Sequence, residues 1–179
     1  MHDGLVEPSP WIVRFASVVP EVARVLDVAA GGGRHTRLFL ARGHPVIAVD
    51  RNIAGLAALA VHPTAEVVVH DLEQDGWPFG AERFGAVIVT NYLWRPLLPA
   101  LVGAVAEDGV LLYETFGAGN ERFGRPSNPD FLLREGELLE AVAGRLRVIA
   151  YECGETNTPH PAVVQRLCAA GAKAACRIS

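Results

Sequence analysis

The sequence predicts an α/β domain built on a mainly parallel sheet with helices on both faces. Short apolar runs rich in valine, isoleucine and leucine alternate along the chain with segments whose apolar residues recur at helical spacing. Continuous apolar runs are typical of strands that are buried on both faces, as in parallel sheets. The 179 residues, half of them hydrophobic, suit one compact domain. We therefore treat residues 1–179 as a single domain.

Five of the apolar runs are predicted to be buried strands. Each is short and ends in polar or glycine residues, which is the usual sequence signature of a strand. The runs cover residues 25–29, 45–50, 66–70, 86–91 and 110–116.

The segments between these strands are predicted to be amphipathic helices. A helix that begins near Arg34 is expected to stop at Gly43, because glycine adopts the backbone angles of a helix end. Three further segments repeat apolar residues at helical spacing. Their repeating residues are Ile53, Leu56, Ala57 and Ala60; Leu98, Leu101, Val102 and Val105; and Leu139 with Val142.

The last part of the chain breaks the alternation. Residues 146–153 and 162–169 form two strand-like runs joined only by GETNTPHP, which is too short for a parallel crossover and predicts an antiparallel hairpin. The tail GAKAACRIS is expected to be a last turn or a frayed end. One long irregular segment, GAGNERFGRPSNPD at residues 117–130, follows the fifth strand, and we expect it to have a functional role.

Charge and composition narrow the classes of function. Lysine and arginine number 16 against 20 acidic residues, a net charge of −4 without long blocks of either sign, which disfavours nonspecific binding to nucleic acid or to an anionic membrane. The first ten residues carry acids and prolines where a signal peptide needs basic and apolar residues. Cys153, Cys168 and Cys176 contain no CxxC pair, so we expect reduced thiols and no metal site. These features predict a cytoplasmic protein without a membrane-spanning segment.

The stretch LDVAAGGGRHT at residues 26–36 predicts a ligand close to the backbone. In an open parallel sheet, ligands bind beyond the carboxyl ends of the strands, where the first loop leads into the N-terminus of a helix. Gly31, Gly32 and Gly33 let a bulky ligand approach that loop. Asp50 follows Gly31 by 19 residues and ends the second strand, where a carboxylate can accept both ribose hydroxyls. A nucleotide-like cofactor is therefore expected here.

Two cofactor classes share this pattern, namely nicotinamide dinucleotides and S-adenosylmethionine (SAM). The dinucleotide fingerprint GxGxxG, read from Gly31, meets Thr36 where it requires a third glycine. Asp27 lies in the turn, where its charge would repel a pyrophosphate but attract the amino group of SAM. Asp71 closes the third predicted strand and could accept from an adenine amino group while Leu72 packs on the ring. These residues favour SAM over NAD.

At the level of motifs, the sequence resembles the class I SAM-dependent methyltransferases over nearly its whole length. The matching stretches are VLDVAAGGGRHT, VIAVDRN, VVVHDLE, VIVTNYLWRPLL and DGVLLYETF, one at each of the five predicted strands. Within that superfamily, GRHT, NYLWRPLLPAL and the segment YETFGAGNERFGRPSNPDFLLREGELLE are similar to the small bacterial methyltransferases of the tellurite-resistance TehB type.

This resemblance implies a Rossmann-like, doubly wound sheet of seven strands in the order 3-2-1-4-5-7-6, with strand 7 antiparallel. It also implies roles for residues at the motif positions. Ala29 stands where many members of the superfamily carry glycine. The implied cofactor contacts are Asp27, Ala29, Gly31 and Gly33 to the methionine part of SAM, Asp50 to the ribose, Arg51 and Leu72 flanking adenine, Asp71 to its amino group, and Asn91 near the sulfonium and the substrate.

The predicted reaction is transfer of a methyl group to a small-molecule acceptor by in-line displacement, which depends on alignment more than on a dedicated base. His35, Asn91, Tyr92 and Glu114 are the candidate catalytic residues, and His35, Glu114 and His160 are the candidate bases. Tyr92, Trp94 and Phe116 could line the pocket, and Arg95, Arg122 and Arg125 could hold an anionic substrate. The alternatives are an NAD-dependent oxidoreductase and a noncatalytic SAM-binding protein. No oligomeric state is predicted.

Overall fold

A computed structural model describes residues 7–175, so the predictions for the first six residues and for Cys176 and the residues after it lie outside the described part. Seven strands form one sheet in the order β3-β2-β1-β4-β5-β7-β6, which confirms the predicted topology. Strands β1 to β5 run parallel, and β7 runs antiparallel to both of its neighbours. The strands are β1 Val25–Val28, β2 Val46–Asp50, β3 Ala65–Val69, β4 Phe84–Thr90, β5 Val105–Phe116, β6 Arg147–Thr156 and β7 Ala162–Ala170.

Strand β5 begins earlier than predicted. Val105, which the periodicity assigned to a helix, pairs with Phe84 instead, and the register then shifts before Ala86 pairs with Val110. A side chain on Gly109 would lie 2.6 Å from the carbonyl oxygen of Phe84, so glycine permits the close approach of the two strands at this irregularity. The helical prediction for Val105 is wrong because pairing with β4 competes for the same apolar residue.

Four α-helices are described: α1 Pro10–Phe15, α2 Arg34–Ala41, α3 Leu98–Gly103 and α4 Glu137–Val142. Helix α1 was not predicted, although the sequence marks its start clearly. The hydroxyl of Ser9 accepts hydrogen bonds from the backbone amides of Trp11 and Ile12, and Pro10 occupies the first helical position. Gly43 follows α2 at a φ of 86°, as predicted for its end.

Two helical predictions need correction. The segment containing Leu56 is a 3-10 helix, Ala54–Leu59, rather than an amphipathic α-helix. Gly55 sits inside it so close to the glycine turn that a side chain there would lie 2.8 Å from the Cα of Gly32. In α4, Val142 is buried as the spacing predicts, but the second inward-facing leucine is Leu138, because Leu139 points outward with 36% exposure.

The central strands of the sheet are buried on both faces, whereas the edge strands β3 and β6 are partly exposed, so the prediction of a buried strand is wrong for β3. Residues from α3 and α4, such as Leu101 and Leu138, pack on one face against a cluster that includes Val87 and Leu111. Residues from α1 and α2, such as Ile12 and Phe39, pack on the other face. This double covering explains why the strand sequences are continuously apolar.

The carboxyl ends of the parallel strands lie together along one edge of the sheet, which we call the carboxyl edge. Because β7 is antiparallel, its first residues also lie on this edge, beside the last residues of β5 and β6. No described helix reaches the length needed to cross a bilayer, and α2, with eight residues, is the longest α-helix of the described part.

Candidate functional site

A cavity of about 270 Å³ opens at the carboxyl edge, beside the ends of β1, β2 and β4. We call it the aspartate cavity because two aspartates line it. Five residues predicted to bind a cofactor and one predicted catalytic residue contribute to its wall. They are Ala29, Asp50, Arg51, Asp71, Leu72 and Tyr92. Residues far apart in the sequence thus converge on one site.

Asp50, the last residue of β2, organises the turns around the cavity. Its two carboxylate oxygens accept hydrogen bonds from the backbone amides of Gly31 and Asn52, each at 2.8 Å. A carboxylate can accept about four hydrogen bonds, so about two positions stay available for a ligand. The residue predicted to contact ribose therefore also fixes the glycine turn.

Asp71 lies two residues beyond the end of β3 and caps the next turn. Its Oδ1 accepts from the backbone amides of Glu73 and Gln74, at 3.0 and 3.3 Å, while Oδ2 has no hydrogen-bond partner in the described part. The side chain thus serves as a turn residue and still presents an acceptor. Leu72 is buried beside it.

Two cavity residues escaped the sequence analysis. His70 and Glu73, to which the sequence motifs assigned no role, both line the aspartate cavity. A ring nitrogen of His70 lies 2.9 Å from the carbonyl oxygen of Gly76, which holds the histidine against the turn. The signal that could have found them is position, since both flank the predicted adenine contacts Asp71 and Leu72.

The glycine turn has a backbone that ordinary residues rarely adopt. Ala29 and Gly31 have positive φ angles of 51° and 55°, and Gly33 has 74°. A side chain on Gly33 would lie 2.7 Å from atoms of both Leu56 and Leu59, so this glycine is required by packing as well as by its φ angle. Gly33 therefore seats the start of α2 on the 3-10 helix rather than lining the cavity.

Asp27 lies inside the sheet on β1 and is 2% exposed. Its Oδ2 accepts a hydrogen bond of 2.6 Å from the hydroxyl of Thr36. Burial raises the pKa of this carboxyl to about 7, against the opposing effect of the bonds from Thr36. Asp27 is not among the residues that line the aspartate cavity.

Tyr92 and Asn91 follow the end of β4. The hydroxyl of Tyr92 is buried and has no hydrogen-bond partner in the described part, and burial raises its pKa, so it stays protonated. Asn91 adopts a positive φ of 53° and donates its backbone N–H to the carbonyl of Glu114 at 2.9 Å. Its exposed side chain makes no hydrogen bond within the described residues and remains available at the carboxyl edge.

His35 is held within the fold on both sides of its ring. Its Nε2 accepts from the backbone amide of Ser9 at 3.0 Å, and its Nδ1 lies 3.3 Å from the hydroxyl of Thr90. Burial, aided by the charge of Arg34, lowers its pKa to about 3, so the ring is neutral at ordinary pH. His35 links α1, α2 and β4 and does not line the aspartate cavity.

Glu114, on β5, faces Arg166, its cross-strand partner on β7. The two side chains form an ion pair, and Arg166 also binds Glu152 on β6 at 3.1 Å. This network joins the three strands of the antiparallel part of the sheet. Arg166 is therefore the ion-pair partner of Glu114, which the sequence alone did not identify. His160, the third candidate base, lies exposed in the turn between β6 and β7.

The predicted arginine site is not assembled. Arg95 forms a bidentate ion pair with Glu137 and donates to the backbone carbonyls of Asp130 and Leu132, which clamps the long loop to α4. Arg122 is paired with Glu155 at 2.6 Å. Both guanidinium groups thus have a carboxylate partner, and Arg125 lies exposed in the loop.

Two of the aromatic residues predicted to line the pocket, Trp94 and Phe116, do not line the aspartate cavity. Trp94 packs against the core cluster under α3 rather than lining the aspartate cavity, and Phe116, the last residue of β5, is partly buried and also outside its lining. Among residues 7–175, no group of three or more metal-ligating side chains comes together.

Comparison with known proteins gives matches at the level of structure alone. No protein-family profile matches the chain, and no curated protein matches its sequence. TehB from Haemophilus influenzae superposes with a TM-score of 0.73 at 17% identity, covering 92% of this chain and 62% of TehB. The chain thus spans less than two thirds of the length of TehB.

Two further solved structures show the range of proteins that share this fold. One is a 1,6-didemethyltoxoflavin-N1-methyltransferase from Burkholderia thailandensis, bound to 1,6-didemethyltoxoflavin and S-adenosylhomocysteine (SAH). Its TM-score is 0.66 at 21% identity, and the match covers 89% of this chain and 75% of that chain. A mutant of a 16S rRNA adenine N1-methyltransferase from Catenulisporales acidiphilia has a TM-score of 0.59 at 17% identity, with 88% of this chain and 89% of that chain covered. The predicted likeness to TehB-like methyltransferases is confirmed as a likeness of fold.

Proposed function

We propose that this chain is a SAM-dependent methyltransferase whose acceptor is a small molecule. The observation that carries the proposal is the aspartate cavity. There, five residues that motif position assigned to SAM contacts meet at one cavity, at the edge where such sheets bind ligands. The fold shared with SAM-dependent methyltransferases supports the same conclusion.

The residues present fit SAM. Asp50 retains acceptor capacity for the two ribose hydroxyls, and Asp71 retains Oδ2 for an amino group. Arg51 and Leu72 line the same cavity and would flank the adenine ring. The buried hydroxyl of Tyr92 has no hydrogen-bond partner among residues 7–175, which is costly unless a ligand or a shift of a neighbouring group satisfies it.

When bound, SAM supplies an electrophilic methyl carbon, which bonds to a lone pair of the acceptor while the electrons of the broken carbon–sulfur bond stay on sulfur. The protein orients SAM and the acceptor relative to each other and excludes water from the site. Asn91, at the end of β4, is the side chain available to position the acceptor. His35 and Glu114 are proposed to position α1 and β7, because both have partners within the fold. We therefore infer that an acceptor proton is lost to solvent.

The small-molecule acceptor is supported by the net charge of the chain. A net charge of −4 opposes binding to a polyanion, even though a methyltransferase of ribosomal RNA shares the fold. The toxoflavin methyltransferase that shares the fold has a small molecule bound. The two alternatives, an NAD-dependent oxidoreductase and a noncatalytic SAM-binding protein, make different predictions for binding and turnover.

Calorimetric titration with SAM, SAH and NADH in parallel separates the cofactor classes. We expect micromolar binding of SAM and SAH, about −8 kcal/mol, and none of NADH. Binding of NADH alone refutes the proposal. Release of SAH during incubation with SAM and a library of small acceptors then distinguishes an enzyme from a noncatalytic binding protein.

Replacement of Asp50 tests the assignment of the cavity. Asp50→Ala should weaken SAM binding by about 1.5–3 kcal/mol, or ten- to a hundredfold, because charge-assisted hydrogen bonds are lost. Asp108→Ala is the matched control, since it removes an exposed carboxylate near the start of β5, on the opposite edge of the sheet. Equal affinities for the two variants would remove Asp50 from the site.

A further inference from the structure

A second cavity, of about 350 Å³, lies farther along the same carboxyl edge. We call it the hairpin cavity, because the β6–β7 hairpin forms one wall and the loop after β5 forms another. Gly117, Gly154 and Val163 represent the three elements that meet there. Asn91 lies between the two cavities in the sheet, since its neighbour Tyr92 lines the aspartate cavity and its own N–H binds β5.

The loop over the hairpin cavity is fixed rather than loose. Its two ends pair with each other through Gly117 and Leu133. Asn120, which is 2% exposed, accepts from the backbone amide of Val163 at 3.1 Å and donates to the carbonyl of Pro126 at 3.0 Å. The cavity therefore has a defined shape.

One wall carries a buried polar group with spare hydrogen-bonding capacity. Gln165, only 1% exposed, accepts from the hydroxyl of Tyr151 at 3.1 Å and donates to the carbonyl of Arg134 at 2.5 Å. An amide has two N–H donors and two lone pairs, so one of each is left over. Gly154 exposes bare backbone beside it, with open space where a side chain would stand.

The charges around the cavity do not cancel. The guanidinium of Arg122 is committed to Glu155 at 2.6 Å and to the carbonyl of Gly119 at 3.1 Å. Glu135 also lines the cavity and forms no ion pair within the described part of the chain. The lining therefore offers a carboxylate in surplus, which favours a cationic group and disfavours an anion.

We propose that the hairpin cavity binds the methyl acceptor and that the acceptor carries a cationic amine or amidine group, held by Glu135 with the amide of Gln165 beside it. This inference rests on the proposed methyltransferase function and names its substrate class. The cation is a recognition group and takes no part in bond making. It replaces the anionic acceptor that the arginines suggested in the sequence.

The test uses three small aromatic probes of similar size and different charge: benzylamine, benzamide and benzoate. Each is titrated into ¹⁵N-labelled protein at saturating SAH, and backbone amide shifts are followed. We expect benzylamine to shift the amides of Gly154 and Val163 and to bind about tenfold more tightly than benzoate. A preference for benzoate or benzamide, or shifts that avoid the hairpin cavity, overturns the proposal.

Two variants isolate the carboxylate. Glu135→Gln should weaken benzylamine binding two- to fivefold, the range of an exposed ion pair, and leave benzamide unchanged. Glu107→Gln removes the same charge at the opposite edge of the sheet and should change neither. If both variants behave alike, Glu135 is not the partner. Calorimetry with SAH alone reports on the methyltransferase function separately, and the probe titration is repeated without SAH, so one proposal can fail while the other stands.

Discussion

Replacing Asp27 by asparagine removes a carboxylate that the fold buries at a high cost. The folded protein holds the pKa of Asp27 at about 7, against 3.8 for an ordinary carboxyl. A tenfold change in a proton-binding constant corresponds to about 1.4 kcal/mol, so ionising Asp27 costs the folded state about 4 kcal/mol in total. Asparagine has the same size and can still accept from Thr36, which makes Asp27→Asn a nearly isosteric change.

The sign follows from the direction in which burial moves the pKa. Because the folded state binds this proton more tightly than the unfolded state, the contribution of Asp27 to stability is fully present below about pH 4 and is lost as the pH rises to about 7. The Asp27→Asn variant has no such titration. Its unfolding free energy should therefore gain about 2 kcal/mol relative to the native protein between pH 5 and pH 7, and little more above pH 8.

The assay is urea denaturation of both proteins at pH 5, 6, 7 and 8, followed by tryptophan fluorescence and circular dichroism, without cofactor. The difference between the two proteins is the measured quantity, because His35 and other groups titrate in both and cancel. Equal m-values establish that both proteins expose the same amount of surface when they unfold. Asp75→Asn, an exposed carboxylate, serves as control and should give a flat difference. A flat or falling difference for Asp27→Asn would refute the account of its burial.

Two further substitutions test the structural roles of site residues. Gly33→Ala should destabilise the protein by at least about 1–2 kcal/mol and lower its melting temperature by several degrees, because φ is positive and the new methyl group meets two leucines. Gly32→Ala, with open space and an ordinary φ, should leave the melting temperature unchanged; similar melting for both variants would contradict this packing. Arg95→Met should lower the free energy of unfolding, measured by urea denaturation, by about 2–4 kcal/mol, because it leaves the buried carboxylate of Glu137 without its ion-pair partner Arg95. Lys173→Met removes one partner of a fully exposed pair and should have no measurable effect. Equal stability of these two variants would show that Glu137 needs no partner.

The motifs at the strand ends show which site residues could be predicted from the sequence. Asp50, Asp71 and Leu72 were assigned by their places after strands, and the topology of a parallel sheet then brings strand ends to one edge whatever the details of packing. Their assignment to one cofactor also depended on the resemblance to the SAM-dependent methyltransferases, which implied the order of the strands. Tyr92 joined them for the same reason.

Assignments that depended on a side chain's partner could not be made in this way. Glu114 was a candidate base until Arg166, 52 residues away, was found opposite it on β7. His35 was another, and the atom that binds its Nε2 belongs to Ser9, 26 residues earlier. The residues that surround Glu114 and His35 in the sequence do not indicate that Arg166 and Ser9 are their partners.

Local pattern therefore determined the strands, the glycine turn and the order of the site motifs, because periodicity and backbone preference act over a few residues. The tertiary structure decided which acids and bases are committed to the fold, since pairing of distant side chains and loss of solvent set their charge and availability. It also brought the glycine turn so close to the 3-10 helix that a side chain at Gly55 would meet the backbone of Gly32, a contact between segments more than 20 residues apart.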